Sequence, residues 1–400
     1  MMGVDPPVSA ASNWAASGLA CLTGLSDGAP DFSRAAVLAE ARHVAADIGR
    51  LLGIEVDAAT ALTGRAAIMN LTARGRISAG GATRLLATAD GWCAVALPRD
   101  DDVAALPALL EVDEVTGDHW TALSHWAAIS PTEAVIARAQ LLDIAAAALG
   151  ESVAASPAIR TGGRSAGSRG FKGMLVADLS SLWAGPLCGQ LLARAGATVV
   201  KVESPKRPDG TRRGEPAFFD WMNSGKLCYA VDFDHNGDAL HRLLAAADIV
   251  IEGSRPVALQ RRALSVDDVP FRRGRIWLRI NGYREQPNRP AFGDDAAVAG
   301  GLVGTAADGP VFCGDAIADP LSGLEAARAV GESLRRGGGE VIDVSMAQVA
   351  ARYAALPQST DSATPLDSPL RPPAVPSASP LGADNAAVER LIAERSCATC

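Results

Sequence analysis

The acidic residues of the stretch Cys313-Gly-Asp-Ala-Ile-Ala-Asp-Pro-Leu-Ser-Gly323 offer the sharpest chemistry in this chain. Asp319 precedes Pro320 and the run Leu-Ser-Gly-Leu-Glu-Ala-Ala, the pattern of a helix N-cap with proline at the first helical position. The positive end of the helix dipole favours an ionised carboxylate at such a place. An ionised carboxylate can attack an activated acyl group and hold it covalently. Asp315, four residues earlier, is the rival nucleophile, and a plain helix cap is the structural alternative. Asp294 and Asp295 form a second acidic pair that reads as a turn or a cap.

Cations gather at two places. Lys201, Lys206, Arg207, Arg212, Arg213 and Lys226 fall within one short region, and Arg255, Arg261 and Arg262 follow a later strand. The whole chain carries a formal net charge of −8 with a pI near 5.3. A local cationic patch in an acidic protein suits a small polyanion, and no nucleic acid or membrane partner is expected. The turn Ala184-Gly-Pro-Leu-Cys-Gly189 adds a helix start whose N–H groups, at Ala184 and Gly185, can hold an anion or a polarised carbonyl. Lys201, Arg207, Lys226, Arg255 and Arg261 complete the set of candidate ligand-binding residues.

Absent patterns narrow the chemistry. Without G-x-G-x-x-G a dinucleotide is not indicated, and there is no Walker loop, no G-x-S-x-G and no H-E-x-x-H. A P-loop nucleotidase, a serine hydrolase and a zincin are therefore excluded. None of the five histidines stands beside a Ser or Cys in a hydrolase elbow. The seven cysteines are scattered, several within apolar runs, as expected of reduced thiols in a cytoplasmic protein. Cys397 and Cys400 form a lone C-x-x-C without a partner pair, so no metal site is expected. The first residues lack a basic stretch followed by an apolar one, and no secretory leader is expected.

These groups need a scaffold. Four hundred residues with 48% apolar content suffice for two or three domains. Between residues 174 and 282 strands alternate with helices: Met174–Leu179, Thr198–Glu203, Cys228–Phe233, Asp248–Glu252 and Arg275–Asn281 read as strands. Helices are expected over 187–195 and 239–246. This alternation implies a Rossmann-like, doubly wound parallel sheet of α/β class, with ligands at the strand C-termini. A second, smaller α+β domain is expected, and the N-terminal region, residues 1–154, combines a helical element with a part like such a small domain. There, 33–52 and 131–149 read as helical and Gly91–Leu97 as a strand. Residues 155–173 read as a linker, 174–355 as the large domain, and 356–400 as a Pro/Ser-rich tail ending in a short helix at 385–395. Ser17–Pro30 echoes Gly300–Pro310, each followed by an Ala-rich helix. In that first copy the place of Asp319 falls at Leu38 or Ala39, without a carboxylate.

An ordered set of segments resembles the family III CoA-transferases, the CaiB/BaiF group. It comprises Val176-Ala-Asp-Leu-Ser-Ser-Leu-Trp-Ala-Gly-Pro-Leu187, then Ala195-Gly-Ala-Thr-Val-Val-Lys-Val-Glu-Ser-Pro205, Asn223-Ser-Gly-Lys-Leu-Cys-Tyr-Ala-Val-Asp232 and Ala247-Asp-Ile-Val-Ile-Glu252. Ile317–Gly323 and Arg335–Met346 continue the order. The resemblance implies a Rossmann-like large domain, a smaller domain and an interlocked homodimer. It implies that Asp319 is the nucleophile and that the reaction passes through an acyl–aspartyl anhydride and an aspartyl-CoA thioester. Coenzyme A then passes to a carboxylic acid acceptor. By position, Arg261 and the loop after Glu203 match CoA-contacting stretches.

The chain also departs from the pattern. Trp183 stands where a comparable transferase has Gln, Ser204 where an arginine is expected, and Asp232-Phe-Asp234 replaces Asp-Leu-Lys. Thr88–Val95, which looks like the opening strand of the small domain, lies upstream of the large domain. A permuted or partly duplicated member is implied. The small-residue stretch Ser78-Ala-Gly-Gly-Ala-Thr83 reads as a turn, with a glycine loop over the site as the alternative. An α-methylacyl-CoA racemase needs a second acid–base group opposite the aspartate, and the stretch before Gly300 holds no His. A non-catalytic CoA-binding homologue is the third reading, motivated by the degenerate first copy.

Overall fold

The structure is a computed structural model, and it describes residues 9–167, 170–366 and 368–397. The pair Cys397-x-x-Cys400 falls partly outside the described residues.

Twelve strands occur among the described residues. β1 (Thr83–Ala87), β2 (Trp92–Ala96) and β3 (Ala145–Ala148) form an antiparallel sheet. β4 (Ala158–Thr161), β5 (Leu175–Asp178), β6 (Thr198–Glu203), β7 (Leu227–Ala230), β8 (Ile249–Glu252) and β9 (Ile276–Asn281) follow. β10 (Val303–Ala306) and β11 (Gly309–Phe312) make a hairpin, and β12 (Glu340–Ser345) is the last strand. Helices used below are α1 (Ala36–Leu52), α2 (Ala58–Met69), α3 (Ala184–Arg194), α4 (Gly293–Ala299), α5 (Ala318–Arg336), α6 (Met346–Ala354) and α7 (Asn385–Cys397).

The principal sheet has seven strands in the order β4-β12-β9-β8-β5-β6-β7. All its pairings are parallel except that of β4 with β12. The chain runs outward from β5 to β6 and β7, then crosses back to β8, β9 and β12. The order therefore reverses between β5 and β8, which makes a crevice at their C-terminal ends. Strand residues alternate between two buried faces. Leu175 and Ala177 meet Leu240, Leu243, Trp277 and the α7 residues Val388 and Ile392. Val176 faces the opposite core with α3, α5 and α6.

That second core also takes in Trp14, Leu38, Ile48 and Leu62. Residues of the N-terminal region from Ala11 to Ile68 thus share a core with the parallel sheet, whereas Leu86 to Ala146 form a separate cluster. The two echoing segments lie side by side. Asp31 accepts a hydrogen bond from the Thr305 N–H at 2.9 Å, and the Gly314 N–H donates to Thr23 Oγ1 at 3.1 Å. α1 and α5 then run parallel, with Asp47 beside Arg328 and Leu51 against Gly331. Of the two places expected to match Asp319, Leu38 is wholly buried and Ala39 is exposed.

Two expectations are corrected. The helical reading of 131–149 ends at Leu141. Asp143 takes a left-handed φ of 60° and the Ile144 N–H returns to the Ala139 carbonyl, so Ala145–Ala148 leaves as a buried strand beside β2. Tertiary pairing overrides the helix preference of alanine there. The stretch 155–173 is more than a linker, because β4 within it closes one edge of the large sheet. The described residues of the tail at 356–383 form no helix or strand, yet they are held to the body: the Leu366 N–H reaches the Ala15 carbonyl, and the Ala378 N–H reaches Asp220. No helix among the described residues is long and apolar enough to cross a bilayer.

Candidate active site

α5 begins at Ala318, so Asp319 stands within the first turn and not at the N-cap. Ile317 occupies the cap position and makes no side-chain capping bond. This corrects the reading of Asp319 as a cap and leaves its carboxylate free to face another group. Ala316, just upstream, adopts a φ of 43°, and its carbonyl accepts from the Asp319 N–H at 2.9 Å. The chain therefore turns sharply into the helix. The N–H of Gly293, the first residue of α4, faces the Asp319 carboxylate and favours its charged form. A Cβ on Gly293 would lie 2.6 Å from Asp319 Oδ2 and 2.4 Å from the Ala316 carbonyl oxygen, so only glycine fits.

Three carboxyl groups and one guanidinium meet at this point. Arg65 of α2 pairs with Asp315 at 2.5 Å. Asp294 accepts from the Ala316 N–H at 3.0 Å, with the Thr83 hydroxyl 3.5 Å from its second oxygen. Asp295 accepts the Phe292 N–H at 2.7 Å and so ties down the start of α4, as its sequence position suggests. Burial pushes the Asp319 carboxyl up to about 7; Asp294 and Asp315 push the same way, while Arg65 and the Gly293 N–H oppose them. Burial, reinforced by Asp315, carries Asp294 up to about 6. Burial also raises Asp315, against the pull of Arg65. The expectation that Asp319 stays ionised because of the helix dipole is thus modified: around pH 7 it exchanges between charged and neutral forms.

Arg65 is tightly framed. Its guanidinium carbon lies 5.8 Å from the ring centroids of both Trp183 and Phe218. A Cβ on Gly80 would stand 3.2 Å from Nη2 of Arg65. Ser78–Thr83 is indeed a turn, with the Gly81 N–H bonded to the Ser78 carbonyl, and it also abuts the site. Trp183 is buried against Phe218 in an edge-to-face contact, and its indole N–H has no partner.

The start of α3 lies one helical turn from Asp319. Gly323, four residues after Asp319 and on the same face of α5, packs on the Ala184 carbonyl, where a Cβ would come within 2.7 Å. Gly185 is equally constrained, since a Cβ there would meet Ser180 at 2.2 Å. Ala184 and Gly185 are both buried at the crevice.

The expected cations divide into two groups. Lys201 and Lys226 are fully buried, which corrects their reading as phosphate contacts. Lys201 donates to Asp209 at 2.7 Å and to the Ser180 carbonyl. Lys226 donates to Asp178 at 2.9 Å, to the Pro186 carbonyl at 2.9 Å and to Asn223 at 3.0 Å. Asp209 also accepts from the Leu182 N–H, which locks the loops after β5 and β6 together. These ammonium groups brace the crevice from inside. Arg207 and Arg261 are exposed on the loops after β6 and β8, at the ligand edge of the sheet. Arg255 is partly exposed and pairs with Asp143.

Arg65, Gly293 and Asp294 were not singled out as site residues by sequence reasoning. Arg65 lies 250 residues from its partner, and no local pattern links them.

Residues 171–372 match the sequence profile of CoA-transferase family III, a span just over half of this chain. The chain belongs to CoA-transferase family III. Among curated family III relatives, it is 29% identical over 191 residues to succinyl-CoA–D-citramalate CoA-transferase of Chloroflexus aurantiacus, covering 43% of this chain and 48% of the other. It is 30% identical over 205 residues to succinate–glutarate CoA-transferase of Agrobacterium fabrum, covering 45% and 51%. Solved structures similar to it include a hypothetical protein from Mycobacterium tuberculosis (29% identity, TM-score 0.42, 47% of this chain and 57% of that one). A CaiB/BaiF family protein from Brucella suis gives 26% identity, a TM-score of 0.41, and 46% and 55% coverage. The chain spans about half the length of the curated relatives it matches. Asp319, Arg207 and Arg261 lie inside the family III segment, whereas Arg65, Ser78, Gly80 and Thr83 lie outside it.

Proposed function

We propose that this protein transfers CoA from an acyl-CoA to a carboxylic acid, with Asp319 as the covalent nucleophile. The observation that carries this reading is the Asp319 carboxylate itself, freed from capping, packed closely on Gly293 and set beside the crevice of a family III chain. In the first step an Asp319 oxygen attacks the thioester carbonyl, the C–S bond breaks, and CoA leaves as its thiolate. The thiolate then attacks the aspartyl carbonyl of the mixed anhydride. The donor acid departs as a carboxylate and an aspartyl-CoA thioester remains. The acceptor carboxylate attacks that thioester to give a second anhydride, and the thiolate takes the new acyl group and regenerates Asp319. No water is consumed, so the energy of the thioester is conserved. A site desolvated enough to raise Asp319 also protects the anhydride from hydrolysis. Arg207 and Arg261 supply exposed positive charge for the CoA phosphates, while the α3 start at Ala184 and Gly185 lines the crevice. An interlocked homodimer belongs to the same proposal.

Intact-mass spectrometry after mixing with a panel of acyl-CoAs tests it. The wild type should acquire a CoA adduct that hydroxylamine converts to a hydroxamate at Asp319, and Asp319→Ala should not. No adduct with any donor, despite CoA binding, would leave the non-catalytic reading. Exchange of the substrate α-proton with solvent in place of CoA transfer would instead establish a racemase.

A further inference from the structure

At the head of α5 three carboxyl groups share one guanidinium. Asp319 is faced by Arg65 from α2, by Asp294 and the Gly293 N–H from α4, and by Asp315 from the loop before its own helix. Three ionised carboxylates would leave an excess of negative charge in a buried space, where such charges repel strongly. Arg65 is the cation in direct contact with this cluster. It cannot swing away, because Asp315, Gly80 and the rings of Trp183 and Phe218 bound it. Asp315 is completely buried with one oxygen unpartnered, so its charge is sustained by Arg65 alone among the side chains it touches.

We propose that Arg65 is a positioning residue for the nucleophile: the guanidinium, brought from the N-terminal region and paired with Asp315, is the positive member of the buried cluster of acids in which Asp319 works. This rests on the reading of Asp319 as the nucleophile. It also gives residues 58–83, which lie outside the family III segment, a part in the reaction. Arg65 touches Asp315 and acts on Asp319 through its field, so it is distinct from a group that contacts substrate.

The test compares wild type, Arg65→Lys and Arg65→Gln by the rate of CoA-adduct formation between pH 5.5 and 9.5. In the wild type the rate should climb with pH, pass half its maximum near 7, the value to which burial lifts Asp319, and level off about one unit higher. Removing the cation raises that value further, so the Arg65→Gln limb should move to higher pH. At pH 6 the rate should fall roughly tenfold for each unit of the move and recover at the alkaline end. Arg65→Lys should restore most of the wild-type profile. A fall by the same factor at every pH, or a lysine variant no better than glutamine, would overturn the proposal. Arg65→Gln with Asp315→Asn removes the ion pair without stranding a buried charge, and serves if the single variant does not fold.

A second readout needs no activity. The folded-state value of Asp319 lies above its unfolded value, so the carboxyl destabilises progressively as pH rises from about 4 to about 7 and fully above that. The stability difference between wild type and Asp319→Asn therefore traces the titration of Asp319. In the Arg65→Gln background the trace should reach its plateau at higher pH; an unmoved plateau sinks the proposal. A wild type that forms no adduct while this trace shifts as expected would sink the nucleophile reading and leave the role of Arg65 standing.

Discussion

Gly293 decides whether Asp319 can be where it is. Its backbone conformation is one that any residue can adopt, so the constraint is space alone. An added methyl would meet the Ala316 carbonyl at 2.4 Å and the Asp319 carboxylate at 2.6 Å. The carbonyl is backbone at a turn already bent into a left-handed φ, and it cannot give way without moving the first turn of α5. Gly293→Ala should therefore cost about 1–3 kcal/mol of stability. On the proposed reaction it should also slow adduct formation on the order of a hundredfold, because a displaced Asp319 loses its attack geometry. Thermal unfolding and adduct kinetics on one preparation check both effects, and an alanine variant with wild-type kinetics would refute the placement. Asp319 was legible in the sequence because its signal is contiguous: an aspartate, a proline and small residues on one helical turn. Gly293 and Arg65 were not, since their meaning lies in atoms that meet only after folding.

At the level of elements, the parallel strands were legible because β-branched runs such as Thr198–Glu203 admit few other structures. Ala145–Ala148 was illegible because its extended form is set by β2 alone. The charged residues at strand ends were misjudged for a related reason. A lysine that ends a strand reads the same whether it faces ligand or core. Lys226→Met leaves Asp178 buried without its cation and should cost about 3–5 kcal/mol. Arg207→Ala and Arg261→Ala, both exposed, should change stability by no more than about 0.5 kcal/mol. They should weaken CoA binding, with a smaller salt dependence than the wild type. Calorimetric titration of CoA beside thermal unfolding separates the classes. A stable Lys226→Met protein with impaired CoA binding would return that lysine to the ligand site.

The whole molecule closes its large sheet at both edges with segments distant in sequence. β4 covers β12 on one side. On the other, β7 is covered by side chains at the start of α7: Asp384 accepts from the Cys228 N–H at 2.8 Å, and Asn385 exchanges two hydrogen bonds with Ala230. Two amino-acid side chains thus stand in for a neighbouring strand. Val388 and Ile392 of the same helix are buried against the sheet, with burial roughly worth 1.5–3 kcal/mol apiece. An uncovered β7 would present unpaired N–H and C=O groups, which invite pairing with a second molecule. Removing residues 381–400 should therefore lower stability by about 5–9 kcal/mol and cause self-association that grows with protein concentration. Asp384→Ala with Asn385→Ala keeps the helix and removes only the edge bonds, so it should lose about 2–3 kcal/mol and show a milder tendency to associate. Light scattering across a concentration series, read beside thermal unfolding, distinguishes them. A truncated protein that stays monodisperse and unfolds at the wild-type temperature would show that the edge is guarded by something other than α7.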